Sequence, residues 1–138
     1  MKTILVIEGD AMVRRFLRSA LEAAGYWVSD VSNDAEGLAI AARGGVALIV
    51  IDCMGTHAGG LRTLQTLRNN TTTALIPVIA MSGLGQYGYD LPFWANACLV
   101  KPFRPAQLIR KIEALLPEDS RVPVRQDELL PALGVAAL

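Results

Sequence analysis

A chain of 138 residues with 13 basic and 13 acidic side chains is the size of one domain with one core, and its balanced charge exerts no net pull toward nucleic acid or an anionic membrane. The longest uncharged run, Asn69 to Tyr89, is broken by Asn, Thr, Pro and Gly and makes a poor membrane span, while the opening MKTILVIEGD reaches acids too early for a signal peptide. Two cysteines, Cys53 and Cys98, are too few for a disulfide framework and lack metal-ligand spacing, so the expectation is a cytoplasmic protein with reduced thiols.

Ile4 to Ile7 is a short apolar run, as expected of a strand buried on both faces. The next segment has helical period: Val13, Phe16, Leu17, Ala20, Leu21 and Ala24 form one stripe, with Arg14, Arg15, Arg18 and Glu22 facing away. Asp10 is placed to cap this helix and Gly25 to end it. Tyr26 to Val31 reads as a second, weaker strand. Asn33 followed by Glu36 resembles a capping box opening a helix through Ala42, stopped at Gly44-Gly45.

Val46 to Ile51 is the most apolar strand and ends in Asp52. Leu61, Leu64 and Leu67 mark a third helix, Leu75 to Met81 a fourth strand, and Cys98 to Val100 a short fifth. The stretch Gly83 to Ala97 has room for only a shortened fourth helix, because Gly83, Gly85, Gly88 and Pro92 interrupt it. Pro105 suits the first turn of a last helix burying Leu108, Ile109, Ile112 and Leu115, and Pro117 stops it. Such alternation predicts an α/β fold with a parallel sheet covered on both faces by right-handed crossovers. Residues 1–117 form the expected domain. Residues 118–138 form a C-terminal tail, expected to be flexible or loosely docked through Leu129, Leu130, Leu133, Val135 and Leu138.

Parallel strands bring their carboxyl ends to one rim, where open α/β sheets bind ligands. Polar residues follow four of the five strands there: Glu8, Asp52, Ser82 and Lys101. Singly, each reads as a cap or a solvated loop residue; the set, with its complementary charges, is harder to dismiss.

With these residues in view, the chain resembles a receiver domain of the two-component response-regulator family, similar to the stand-alone chemotaxis type. The resemblance is carried by ILVIEGDAMVRR, ALIVIDCMGTHAGGL, IPVIAMSG and CLVKPF, in the family's order, and runs from Lys2 to about Leu116. It implies a flavodoxin-like, doubly wound sheet of order 2-1-3-4-5. It also implies that Asp52 accepts a phosphoryl group from a histidine kinase or phosphotransfer protein. Lys101 would supply a cation, aimed by a cis peptide to Pro102, and Ser82 a hydroxyl that donates to the phosphoryl group. Mg²⁺ would be held by Glu8, Asp52 and the backbone carbonyl of Met54. Such a domain is a phosphoacceptor, not a turnover enzyme. It signals to a downstream protein by contact, without touching DNA or membrane, and homodimer pairing is left open.

The chain departs from the family in four places. Gly9 stands where a second acid is usual and is expected to weaken Mg²⁺ binding. Cys98 replaces the aromatic switch residue; it reads as a small buried hydrophobe, separated from Cys53 by the fourth strand and so not disulfide-bonded to it. Thr56 replaces a common Pro in the loop that also carries His57. Tyr87, Tyr89, Phe93 and Trp94 cluster in the shortened region, as core or as a partner surface. A second reading follows from Gly9 and Cys98: a pseudo-receiver that docks partners without phosphorylation. A flavin protein would need a Ser/Thr/Gly-rich loop after the first strand, and a hydrolase a second acid and a cap, neither of which is evident.

Overall fold

The computed structural model describes residues 2–53, 59–83 and 94–117. Its strands are β1 (Thr3–Ile7), β2 (Val28–Val31), β3 (Val46–Asp52), β4 (Val78–Ser82) and β5 (Ala97–Val100). Its helices are α1 (Ala11–Ala23), α2 (Asp34–Ala42), α3 (Gly59–Asn69) and α4 (Pro105–Leu115). All pairings are parallel and the order is β2-β1-β3-β4-β5, as expected. The shortened helix expected between Gly83 and Ala97 falls largely on residues 84–93, outside the described residues, as do the tail, Met54, Thr56 and His57.

The apolar strands divide into two cores by the two-residue period of the pleat. Ile4, Val6, Leu48, Val50, Ile79 and Met81 meet Leu17 and Leu21 of α1 and Leu108 and Ile112 of α4 on one face. Leu5, Ile7, Ile49, Ile51, Val78 and Ala80 meet Ala41 of α2 and Leu64 and Leu67 of α3 on the other. Each fully buried Leu or Ile contributes about 1.5–3 kcal/mol. Burial of the sheet, more than helix propensity, therefore holds the fold. Among the described residues no helix is long and apolar enough to cross a membrane.

Local signals act as their chemistry requires. Asp10 Oδ1 accepts from the amides of Met12 (2.9 Å) and Val13 (3.2 Å), and Gly25 ends α1 with φ +94°. Asn33 Oδ1 accepts from Glu36 N–H at 2.9 Å, which is one half of the expected capping box. Pro105 opens α4, where Gln107 Oε1 accepts from Arg104 N–H at 2.7 Å. At the end of α3, Arg68 donates to the carbonyls of Ala74, Ile76 and Trp94 and to Asn96 Oδ1, tying the turn before β4 to the segment before β5.

Several expectations are corrected. The second strand begins at Val28 rather than Tyr26: Tyr26 is buried beneath α1, and Trp27 is 48% exposed. The fourth strand begins at Val78, because residues 71–75 form turns that leave Leu75 94% exposed. In both cases an apolar run extends past the last residue that has a strand to pair with. Phe16, assigned to the core stripe, is 47% exposed, since Leu17 and Leu21 fill the contact with the sheet. Arg14 and Arg18, assigned to the outer face, reach back to Asp30. Ile109 and Leu115 are only half-buried.

Gly60 allows α3 to start against the end of β3. A Cβ there would lie 2.7 Å from Cys53 Sγ and 2.9 Å from Cys53 Cα, so the backbone itself is in the way. Gly60→Ala is expected to lower unfolding free energy by about 1–3 kcal/mol, the usual cost of overpacking. Urea denaturation beside the parent measures it, and an unchanged midpoint would refute the close approach.

Candidate functional site

Glu8, Asp52 and Lys101 each lie two residues beyond a member of the same core layer, namely Val6, Val50 and Leu99. The period that buries those three on the α1/α4 face carries the polar residues toward the same side of the rim. Glu8 is still tied to the sheet, its amide donating to Val31 O at 3.1 Å. Asp52 is the last residue of β3, in register with Met81. Lys101 follows β5, and its amide donates to Ser82 O at 2.7 Å, joining the ends of β4 and β5. The Lys101-Pro102 peptide is cis, as the resemblance implied.

The lysine bridges two acids from distant parts of the chain. Lys101 Nζ lies 2.6 Å from Glu8 Oε1 and 3.2 Å from Asp52 Oδ1. The Glu8 side chain is 1% exposed, whereas that of Asp52 is 23% exposed and faces solvent in part. The Glu8 carboxyl is pushed up to about 7, first by burial and then by the Asp52 carboxylate beside it, while Lys101 pulls the other way. Burial opposes the charge on Lys101, yet contact with Glu8 and then Asp52 holds its pKa above the ordinary lysine value.

Ser82 ends β4 and is buried, next to Lys101 through the β4–β5 pairing. Met54 lies outside the described residues. Asp10, the remaining nearby acid, spends its carboxylate on the α1 amides. Cys53 and Cys98 are both free thiols. Burial pushes the Cys53 thiol up to about 12, with Asp52 adding to the shift, and raises Cys98 as well, so both behave as small hydrophobes.

The polar set fits a divalent cation. Two carboxyl groups meet one ammonium at the rim, and Glu8 Oε2 is buried with no hydrogen-bond donor to it among the described residues. Mg²⁺ commonly takes one or two carboxylates and fills its other positions with water or phosphate oxygens. Among the described residues no three acids, histidines or cysteines converge on a metal position, which agrees with Gly9 in place of an acid. A Cβ at Gly9 would meet nothing closer than Ser32 O at 3.6 Å, so the position has room for a side chain.

Two residues near the site were not singled out from the sequence. Arg14 Nη1 donates to Glu8 O at 2.8 Å and lies 3.4 Å from Gly9 O, while Arg14 Nε lies 3.1 Å from Asp30 Oδ2. The available signal was Asp30, a charge set inside a strand, with arginines at helical spacing opposite it.

The raised Glu8 pKa has a definite sign for stability. The protonated form is favoured by folding, so the stabilisation is complete below the unfolded value near 4.5 and is lost as pH rises through about 7. Glu8→Gln removes that slope. In chelator, the variant should gain about 2 kcal/mol on the parent between pH 5 and pH 8, since each tenfold change in proton affinity is worth roughly 1.4 kcal/mol. Urea denaturation at the two pH values measures the difference, and parallel profiles would contradict the burial of this carboxyl.

A family model for the response regulator receiver domain matches residues 4–113. The chain is 29% identical over 136 residues to the phosphate regulon transcriptional regulatory protein PhoB of Pseudomonas aeruginosa, covering 94% of this chain and 59% of that protein. It is 33% identical over 128 residues to the DNA-binding dual master transcriptional regulator RpaA of Synechocystis, covering 89% of this chain and 52% of that protein. It thus spans about half the length of the curated relatives it matches. Among solved structures, the response regulator TrrA of Thermotoga maritima in complex with Mg²⁺-BeF matches with a TM-score of 0.74 at 27% identity, over 84% of this chain and 100% of that one. With the sheet order and the family match over residues 4–113 in agreement, the chain belongs to the receiver-domain family of two-component response regulators.

Proposed function

We propose that this domain accepts a phosphoryl group on Asp52 from the phosphohistidine of a histidine kinase or phosphotransfer protein, and passes the signal on by contact with another protein. The observation that carries this reading is the Lys101 ammonium, 3.2 Å from Asp52 and 2.6 Å from Glu8 at the strand rim. A carboxylate is a weak nucleophile, so the work of such a site is positioning and neutralising charge. Asp52 Oδ would attack phosphorus as the P–N bond to the donor imidazole breaks and the imidazole leaves. Lys101 would shift its donor hydrogens from the carboxylates to a phosphoryl oxygen, and Ser82 would donate to a second. Glu8 and Asp52 would hold Mg²⁺, with the Met54 carbonyl as the ligand the resemblance implies, and the ion would supply the remaining positive charge. Support for a cation at this place comes from two carboxyl groups meeting at the rim, with buried Glu8 Oε2 lacking a donor among the described residues, and from the Mg²⁺-BeF complex of TrrA.

The partner is proposed to meet the rim beside Lys101. A hollow of about 380 Å³ there is lined by Val13, Phe16, Pro102, Phe103 and Lys101, and Met12, which precedes Val13 in the chain, is 82% exposed. Exposed apolar side chains grouped at a site rim fit protein contact better than solvent.

A second reading, docking without phosphorylation, is favoured by one feature: Gly9 leaves two carboxylates where a third would strengthen the cation site. Intact-mass analysis after incubation with a small phosphodonor and Mg²⁺ separates the two. A phosphate adduct is expected on the parent and absent from Asp52→Asn; no adduct on either, even at high Mg²⁺ or Mn²⁺, transfers the function to docking. Because position 9 has room, Gly9→Asp should tighten Mg²⁺ binding about tenfold, the effect of roughly 1.4 kcal/mol from one added carboxylate. Calorimetric titration measures it, and weaker binding in the variant would show that the cation does not sit against this turn.

A further inference from the structure

We propose that Arg14 is a positioning residue for the carboxylate of Glu8, acting through the backbone of the β1–α1 turn and itself held by Asp30. This role presupposes the cation site proposed above. β1 ends at Ile7, and after it the Glu8 amide still donates to Val31 O of β2, while the carbonyls of Glu8 and Gly9 face Arg14. Arg14 Nη1 donates to Glu8 O at 2.8 Å and lies 3.4 Å from Gly9 O. The same guanidinium places Nε 3.1 Å from Asp30 Oδ2 on β2. Asp30 Oδ1 is taken by Arg18, through Nε at 2.7 Å and through Nη2, and Arg18 Nη1 reaches Glu22 at 2.7 Å. One planar fork thus joins α1, β2 and the end of β1.

The need for such an anchor follows from the two residues at the turn. Glycine loses more backbone freedom on ordering than any other residue, so an unanchored Gly9 peptide would be a hinge next to the acid. Glu8 adds a further rotatable bond to the usual aspartate reach, yet its Oε1 must arrive 2.6 Å from Lys101 in a buried position. With the Glu8 amide already held by Val31 O, fixing the Glu8 carbonyl holds the peptide planes on both sides of Cα and so the direction of the Cα–Cβ bond. Arg14 and Asp30 are each only 22% exposed, so their pairing is less screened than one at the open surface. Lysine would keep the charge but could not span both carbonyls and Asp30 from one rigid fork.

Arg18 is a matched control: it grips the same Asp30 and touches neither carbonyl of the turn. Manganese titration of the full chain, followed by electron paramagnetic resonance, is run on the parent, Arg14→Ala, Arg14→Lys, Arg18→Ala and Glu8→Gln. Arg14→Ala and Arg14→Lys should both weaken Mn²⁺ binding about tenfold, the low end of what losing a ligand-orienting partner costs, with Arg18→Ala changing it by less than about twofold. Amide hydrogen exchange in metal-free protein should accelerate at Gly9 and Asp10 in the Arg14 variants and not in Arg18→Ala. Arg14→Lys carries the test if Arg14→Ala fails to fold. Equal weakening in the Arg14 and Arg18 variants, or unchanged exchange at Gly9, overturns the proposal. If Glu8→Gln leaves Mn²⁺ affinity intact, the cation site itself is wrong; if Glu8→Gln weakens binding and the Arg14 variants do not, only the positioning role fails.

Discussion

An ammonium enclosed by two carboxylates at the rim of an apolar sheet costs desolvation, and it persists only where the backbone holds all three groups in place. Lys101 and Glu8 are 93 positions apart along the chain, and Lys101 and Asp52 are 49 apart. What brings them within hydrogen-bond distance is the parallel sheet, which delivers β1, β3 and β5 ends to one side. The two buried cores thereby fix the positions of these three side chains. Removing the lysine would leave the buried Glu8 carboxyl without its cation.

The acids are not equivalent. Glu8 is buried and carries the large upward pKa shift; Asp52 is partly open to solvent. That asymmetry suits a division in which the buried acid holds a cation and the open one meets an incoming group. Lys101 lies closer to Glu8 than to Asp52, so arrival of other positive charge at Glu8 would release the lysine toward Asp52.

Helix α1 shapes the site from beside it. Asp10 is consumed as its cap, which keeps that carboxylate off the rim, and Arg14 takes the loose carbonyls of the turn. Phe16 stays outward beside Phe103 and Pro102 instead of completing the core, and Met12 is exposed as well. A helix with one buried edge, one electrostatic edge and one exposed apolar edge does more than cover a sheet.

Much was legible in the residue order. Unbroken apolar runs at Ile4, Val46 and Ile79, with helical stripes between them, were enough for a parallel α/β sheet, and the polar residues closing those runs marked Glu8, Asp52, Ser82 and Lys101. Strand limits at Tyr26 and Leu75 were misjudged because an apolar residue becomes strand only where a neighbour supplies hydrogen bonds, and pairing register is not written locally. Phe16 and Arg14 were likewise assigned by helical period, which says which residues share a face but not what that face meets. Which acid the lysine grips, which carbonyls the arginine receives and which aromatic is left in water were decided by packing between segments far apart in the chain. Direction past a strand end depends on those neighbours, and no local pattern encodes them.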